Sequence, residues 1–92
     1  MIIKSFFTDK GIPKTSLIPL ITIRRVSDSA IIINSQAMTE IAGGWYKYTF
    51  NNDLGEDYVV TVDGTTTLGN SDRYQSGTIA KDEYEDDDGR II

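Results

Sequence analysis

Carboxylates, lysines and tyrosines are the groups with which this chain could do acid–base chemistry, because it contains neither histidine nor cysteine. That absence removes the usual general base, the commonest metal ligand and the thiolate nucleophile. It also removes any disulfide framework, which leaves the redox compartment undecided. The chain has 14 Asp and Glu residues. Most of them fall in turn-like stretches or near the C-terminal end, not as the pair flanking a cleft that glycoside hydrolysis needs. The acidic segment also fails the test for a calcium loop. Counted from Tyr84, Asp86 and Asp88 precede Gly89, but the first position is a tyrosine and the sequence stops before the twelfth. Asp53, Glu56 and Asp57 cluster in one turn and have donors for a weakly held hard cation, though turns collect such residues for backbone reasons. No catalytic, metal or cofactor residue is assigned.

The aromatic residues carry more information. In Gly43–Gly64, GGWYKYTFNNDLGEDYVVTVDG, two alternating runs flank a polar stretch. Side chains alternate along a strand, so Tyr46, Tyr48 and Phe50 share one face, against Trp45, Lys47 and Thr49 on the other. Tyr58, Val60 and Val62 likewise oppose Val59, Thr61 and Asp63. The two runs read as a β-hairpin with one face committed to a core. Three roles are open to the outward Trp45: an interface anchor, a sugar-stacking platform shared with Tyr46 or Tyr74, or a ring covered by a loop such as Ser35–Ile41. Phe6 and Phe7 fall on opposite faces of a terminal strand, so one of them needs a neighbouring chain or loop to cover it. Phe6, Phe7, Trp45 and Tyr84 are the candidate interface residues.

The elements that must position these residues follow from pattern and punctuation. Ile2–Thr8 reads as a first strand, Asp9–Pro13 as a turn and Leu17–Val26 as a second strand with Ile21 and Ile23 inward. Ser27–Ser29 turns into a third strand at Ala30–Asn34, whose three adjacent isoleucines leave its register open. Ser35–Ile41 is either a helical turn or a looped connection whose Met38 caps the core. After the central runs, Thr65–Leu68 reads as a short strand, Gly69–Asp72 as a turn and Arg73–Ala80 as a last strand with a bulge at Gly77. Six or seven short strands without a convincing amphipathic helix predict an all-β chain: one small β-sandwich domain over residues 1–80. The expected core is Ile21, Ile23, Tyr46, Tyr48, Phe50, Tyr58, Val60 and Val62.

Length and charge set further bounds. Ninety-two residues make one domain with a thin core and modest stability. The net charge is −5, and most of it sits in residues 81–92. There Asp82, Glu83, Glu85, Asp86, Asp87 and Asp88 outweigh Lys81 and Arg90. The body is nearly neutral, which argues against a basic nucleic-acid surface. No apolar run reaches the length of a membrane span, and the first residues lack the apolar region of a signal peptide. Residues 81–92 form an acidic C-terminal tail, either disordered or ordered on a basic neighbouring surface.

Two stretches carry a family resemblance. Gly44–Phe50 and Gly55–Gly64 spell G-x-Y-x-Y-x-F and G-x-x-Y-x-V-x-V-x-G. That pattern resembles the small transthyretin-like or carboxypeptidase-regulatory β-sandwich, which is Ig-like in layout. The longer run PLITIRRVSDSAIIINSQAMTEIAGGWYKYTF resembles modules of tailed-phage virion proteins, with a TIR-x-VSD hairpin and a GWY-K-Y-x-F strand. The likeness covers about residues 13–77. It implies a non-enzymatic structural protein of a bacteriophage virion, placed on the capsid, neck or tail. The expected partners are copies of itself and other virion proteins, with no nucleic acid, membrane or cofactor. The alternative is a ligand-binding accessory module such as a carbohydrate-binding β-sandwich.

Overall fold

A computed structural model describes residues 1–51 and 55–80, together with the backbone of residues 90 and 91. The chain forms β1 (Ile2–Phe6), β2 (Thr8–Asp9), β3 (Ile12–Pro13), β4 (Leu20–Arg25), β5 (Ile31–Ala37), β6 (Thr39–Ala42), β7 (Trp45–Thr49), β8 (Tyr58–Asp63), α1 (Asn70–Arg73), β9 (Tyr74–Ile79) and β10 (Arg90–Ile91). One four-stranded sheet has the order β10-β1-β7-β6 and a second β5-β4-β8-β9, while β2 and β3 pair in a separate two-stranded sheet. The facing sides of the two four-stranded sheets enclose a single core, so the fold is an all-β, small β-sandwich.

The core follows the alternation of each strand. Ile3 on β1, Ile21 and Ile23 on β4, Tyr46 on β7, and Tyr58, Val60 and Val62 on β8 are buried together. Phe50, just past β7, stands edge-on to Tyr58 with ring centroids 5.1 Å apart, and Phe7 stands edge-on to Tyr46 at 5.9 Å. Tyr48 is only half-buried and packs against this cluster. Met1, Leu17, Met38, Leu68 and Ile79 complete it from the ends. Ser5, fully buried, directs its hydroxyl to the Met38 sulfur at 3.6 Å.

Tight turns fix the pairing. Ala42 pairs with Trp45 across Gly43 and Gly44, whose φ values of 57° and 93° suit a two-residue hairpin turn that favours glycine. Lys10 and Gly11, also at positive φ, close the β2–β3 hairpin in the stretch expected to be a turn.

Several expectations are corrected. β7 and β8 are not a hairpin: β7 pairs with β1 and β6, while β8 pairs with β4 and β9 in the opposite sheet. β7 and β8 therefore lie in opposite sheets, facing each other across the core. Ser35–Ile41 is neither helical turn nor loop; β5 runs to Ala37 and β6 starts at Thr39, with Met38 buried between them. Thr65–Leu68 is a turn rather than a strand. Asp63 accepts the Thr65 N–H at 2.8 Å and Thr65 sits at φ 75°. Residues expected as a turn form the helical turn α1. Gly77 makes no bulge, since β8 and β9 pair without a shift. Register shifts lie instead between β4 and β5 on both sides of Ile23, and between β6 and β7 from Glu40 to Ala42. The acidic tail lies outside the described residues apart from Arg90 and Ile91, whose backbone runs parallel to β1.

Candidate interaction face

The outer face of β1 and β7 is built from three cross-strand pairs, Ile2 with Thr49, Lys4 with Lys47 and Phe6 with Trp45. Alternation selects them: Ile3, Ser5 and Tyr46 turn inward and are fully buried, so their neighbours turn outward. The Phe6 and Trp45 rings stack at 4.9 Å with 41° between their planes. Each covers part of the other, and both remain half-buried. Gly44 lies close to the Phe6 ring and to Pro13. A Cβ added at Gly44 would lie 3.1 Å from Phe6 Cε1 and 3.2 Å from Pro13 Cβ. Gly44 thus approaches both the Phe6 ring and Pro13 too closely to carry a side chain unless a neighbour shifts.

Lys4 and Lys47 stand directly opposite one another beside this stack. Like charges in that position repel and destabilise a sheet. β6 adds Thr39 opposite Lys47 and Ala42 opposite Trp45. The carboxylate of Glu40, on the same strand, is turned away to accept the Ser16 N–H at 3.1 Å.

Of the four candidate interface residues, the structure brings Phe6 and Trp45 together on this face. Phe7 is a correction: it is fully buried within its own chain, because the residue after Phe6 must turn to the other side of the strand. Tyr84 lies outside the described residues. The opposed lysine pair was missed by sequence reasoning, because β7 was paired with β8 there. Lys47 was recognised as outward, but only the β1 register reveals Lys4 across from it.

The remaining candidates separate. Tyr46, named for a sugar platform, is buried. It donates its hydroxyl to the Lys14 carbonyl at 2.9 Å and accepts the Leu17 N–H at 3.0 Å. Burial pushes its pKa above the ordinary 10.0. Tyr74 belongs to the other sheet, under the Arg73 guanidinium at 4.8 Å. The three rings Trp45, Tyr46 and Tyr74 therefore form no common platform. Arg24 donates to the Ser29 carbonyl at 2.7 Å. Arg25 pairs with Asp28 at 2.8 Å, and its hydrogen bond holds the Asp28 carboxyl down at about 2. Arg73 holds Asp63 through two bonds of 2.7 and 2.9 Å, which lowers the Asp63 pKa.

Among the described residues no three acidic side chains converge as metal ligands, and Asp53 of the turn cluster lies outside them. A shallow apolar depression of about 250 Å3, lined by Val26, Asp57, Tyr58, Val59, Thr78, Ile79 and Ala80, is smaller than the roughly 300 Å3 at which small-molecule sites begin. No family model, curated protein or solved structure matches the chain.

Proposed function

We propose that this chain is a non-enzymatic structural component of a bacteriophage virion, on the capsid, neck or tail, and that it assembles through contacts between subunits. The observation that carries the assembly reading is the outer face of β1 and β7. There the stacked Phe6 and Trp45 and the opposed Lys4 and Lys47 form an aromatic and cationic surface within one sheet. Large aromatic rings left half-buried on the outer face of a sheet are the side chains that most often anchor protein contacts.

The virion assignment itself rests on the sequence resemblance. Its two motifs fall on ordered hairpins of this chain. TIRRVSD runs from β4 into the turn held by Arg25 and Asp28, and MTEIAGGWYKYTF forms β6, the Gly43–Gly44 turn and β7. The test is mass spectrometry of purified particles from cells that make this protein. Stoichiometric presence in intact particles is expected. Its recovery only outside particles would overturn the reading.

A further inference from the structure

We infer that β5 joins two copies of this chain, its free edge and the exposed Ile31 and Ile32 meeting the same strand of a second copy about a two-fold axis. The inference deepens the assembly reading above by naming a contact between like subunits, separate from the face that carries Phe6 and Trp45. β5 stands at the end of its sheet, so along one side its backbone N–H and C=O groups face no strand among the described residues. Six of its seven side chains are exposed.

The register shows how that exposure arises. Ile33 packs against the core opposite the fully buried Ile23. Unbroken alternation would send Ile31 to the same side. A register shift sets Ile31 opposite Arg24 instead, an exposed residue of β4, and a one-residue shift moves a side chain to the other face. Ile31 and Ile32 are thereby exposed together, at 46% and 38%. A thin core thus forgoes an isoleucine that regular pairing would have enclosed, and adjoining exposed apolar side chains mark a contact surface. Ser35, at φ 50°, interrupts the extended backbone, so the pairing segment is Ile31–Asn34.

Charge selects a second copy as the occupant. The chain carries −5, so two copies repel wherever their acids face each other. From Ala30 to Ala42 the sequence holds a single charged residue, Glu40, whose carboxylate is engaged by the Ser16 N–H. Arg24, beside Ile31, is held to the Ser29 carbonyl. β5 itself has neither charge nor proline, the residues by which edge strands are kept from pairing with their own copies. A strongly charged partner finds no complement there. A second copy finds apolar side chains and free backbone groups identical to its own, and antiparallel pairing about a two-fold axis uses that one patch twice.

The test is sedimentation of the full chain over a range of concentrations. One variant carries Ile31→Lys and Ile32→Lys; the other carries Ile31→Glu and Ile32→Glu. Circular dichroism first establishes that both are folded. The wild type is expected to dimerise, and each variant alone to do so on the order of 100-fold more weakly, because like charges meet across the axis. An equimolar mixture of the two restores the dimer, since opposite charges then meet. Ile12→Lys, on the exposed β3, leaves dimerisation unchanged. A wild type that stays monomeric at all concentrations would overturn the inference. So would dimers that persist in both charged variants, or that weaken equally with Ile12→Lys. Failure of mixing to restore the pair would refute the two-fold geometry. Recovery of the chain in particles tests the structural role separately from all of these.

Discussion

Replacing Tyr46 by Phe removes one oxygen and tests how the strap at residues 14–17 is tied to the sandwich. The Tyr46 hydroxyl holds the strap at residues 14–17, donating to the Lys14 carbonyl and accepting the Leu17 N–H. Leu17 is 7% exposed, so water has little access to its N–H once the oxygen is gone. Leaving a buried donor unpaired costs about 1–3 kcal/mol. Lys14 is less deeply placed, so water can replace its lost bond and adds little to that figure. A loss near 2 kcal/mol lowers Tm by roughly 8–16 °C in a domain this small. The ring remains, so the variant stays folded, unlike Tyr46→Ala, which should cost about 3–5 kcal/mol. Thermal and urea unfolding provide the measurement. pH provides a second signature. Burial raises the Tyr46 pKa above 10.0, so this group's contribution is complete below the unfolded value and disappears as pH climbs through the higher folded one. Tyr46→Phe should lack that contribution to alkaline loss. An unchanged Tm, with an unchanged alkaline limb, would show that the hydroxyl does not anchor the strap.

Lys47→Glu should raise the stability of the isolated subunit by about 0.2–1 kcal/mol, because it replaces a like-charge pair opposite Lys4 with an attractive one; a fall in Tm would mean that the lysines do not oppose each other. Gly64→Ala should cost about 1–3 kcal/mol. Its Cβ would lie 2.6 Å from Leu68 Cδ1 and 2.7 Å from the buried Phe7 ring, and a neutral result by chemical denaturation would place Gly64 elsewhere. Asp63→Asn should cost roughly 1 kcal/mol or less, as expected of a partly exposed pair. The wild-type contribution of Asp63 is present above the ordinary carboxylate pKa of 3.8 and is lost as pH falls through its lower folded value. Acid titrations of the two proteins that superimpose would contradict the Arg73 contact.

The faces of the strands were legible in the sequence, but their partners were not. Alternation correctly sent Ile21, Ile23, Tyr46, Phe50, Tyr58, Val60 and Val62 inward, since one buried side fixes the parity of a strand. The same pattern cannot distinguish a hairpin from two strands in opposite sheets, because both put Tyr46 and Tyr58 against one interior. The Asn, Asp and Gly residues after Phe50 read as the chemistry of a hairpin turn. Register decided the candidate face. Trp45 and Lys47 were recognisable as outward, yet their neighbours Phe6 and Lys4 become visible only when β7 is laid beside β1. Which of Phe6 and Phe7 enters the core likewise depends on Ile3 facing Tyr48 and Ser5 facing Tyr46. Around Thr65, threonine's preference for strands was overridden by the Asp63 side chain capping the turn and by Leu68 plugging the core.

The central claim, a structural subunit of a virion, is tested most directly by reconstructing the intact particle at a resolution that traces side chains. The expected result is this sandwich in repeated, symmetry-related copies, with Phe6, Trp45 and Lys47 against a neighbouring subunit. A particle fully accounted for by other chains, with no density for this fold, would contradict the account.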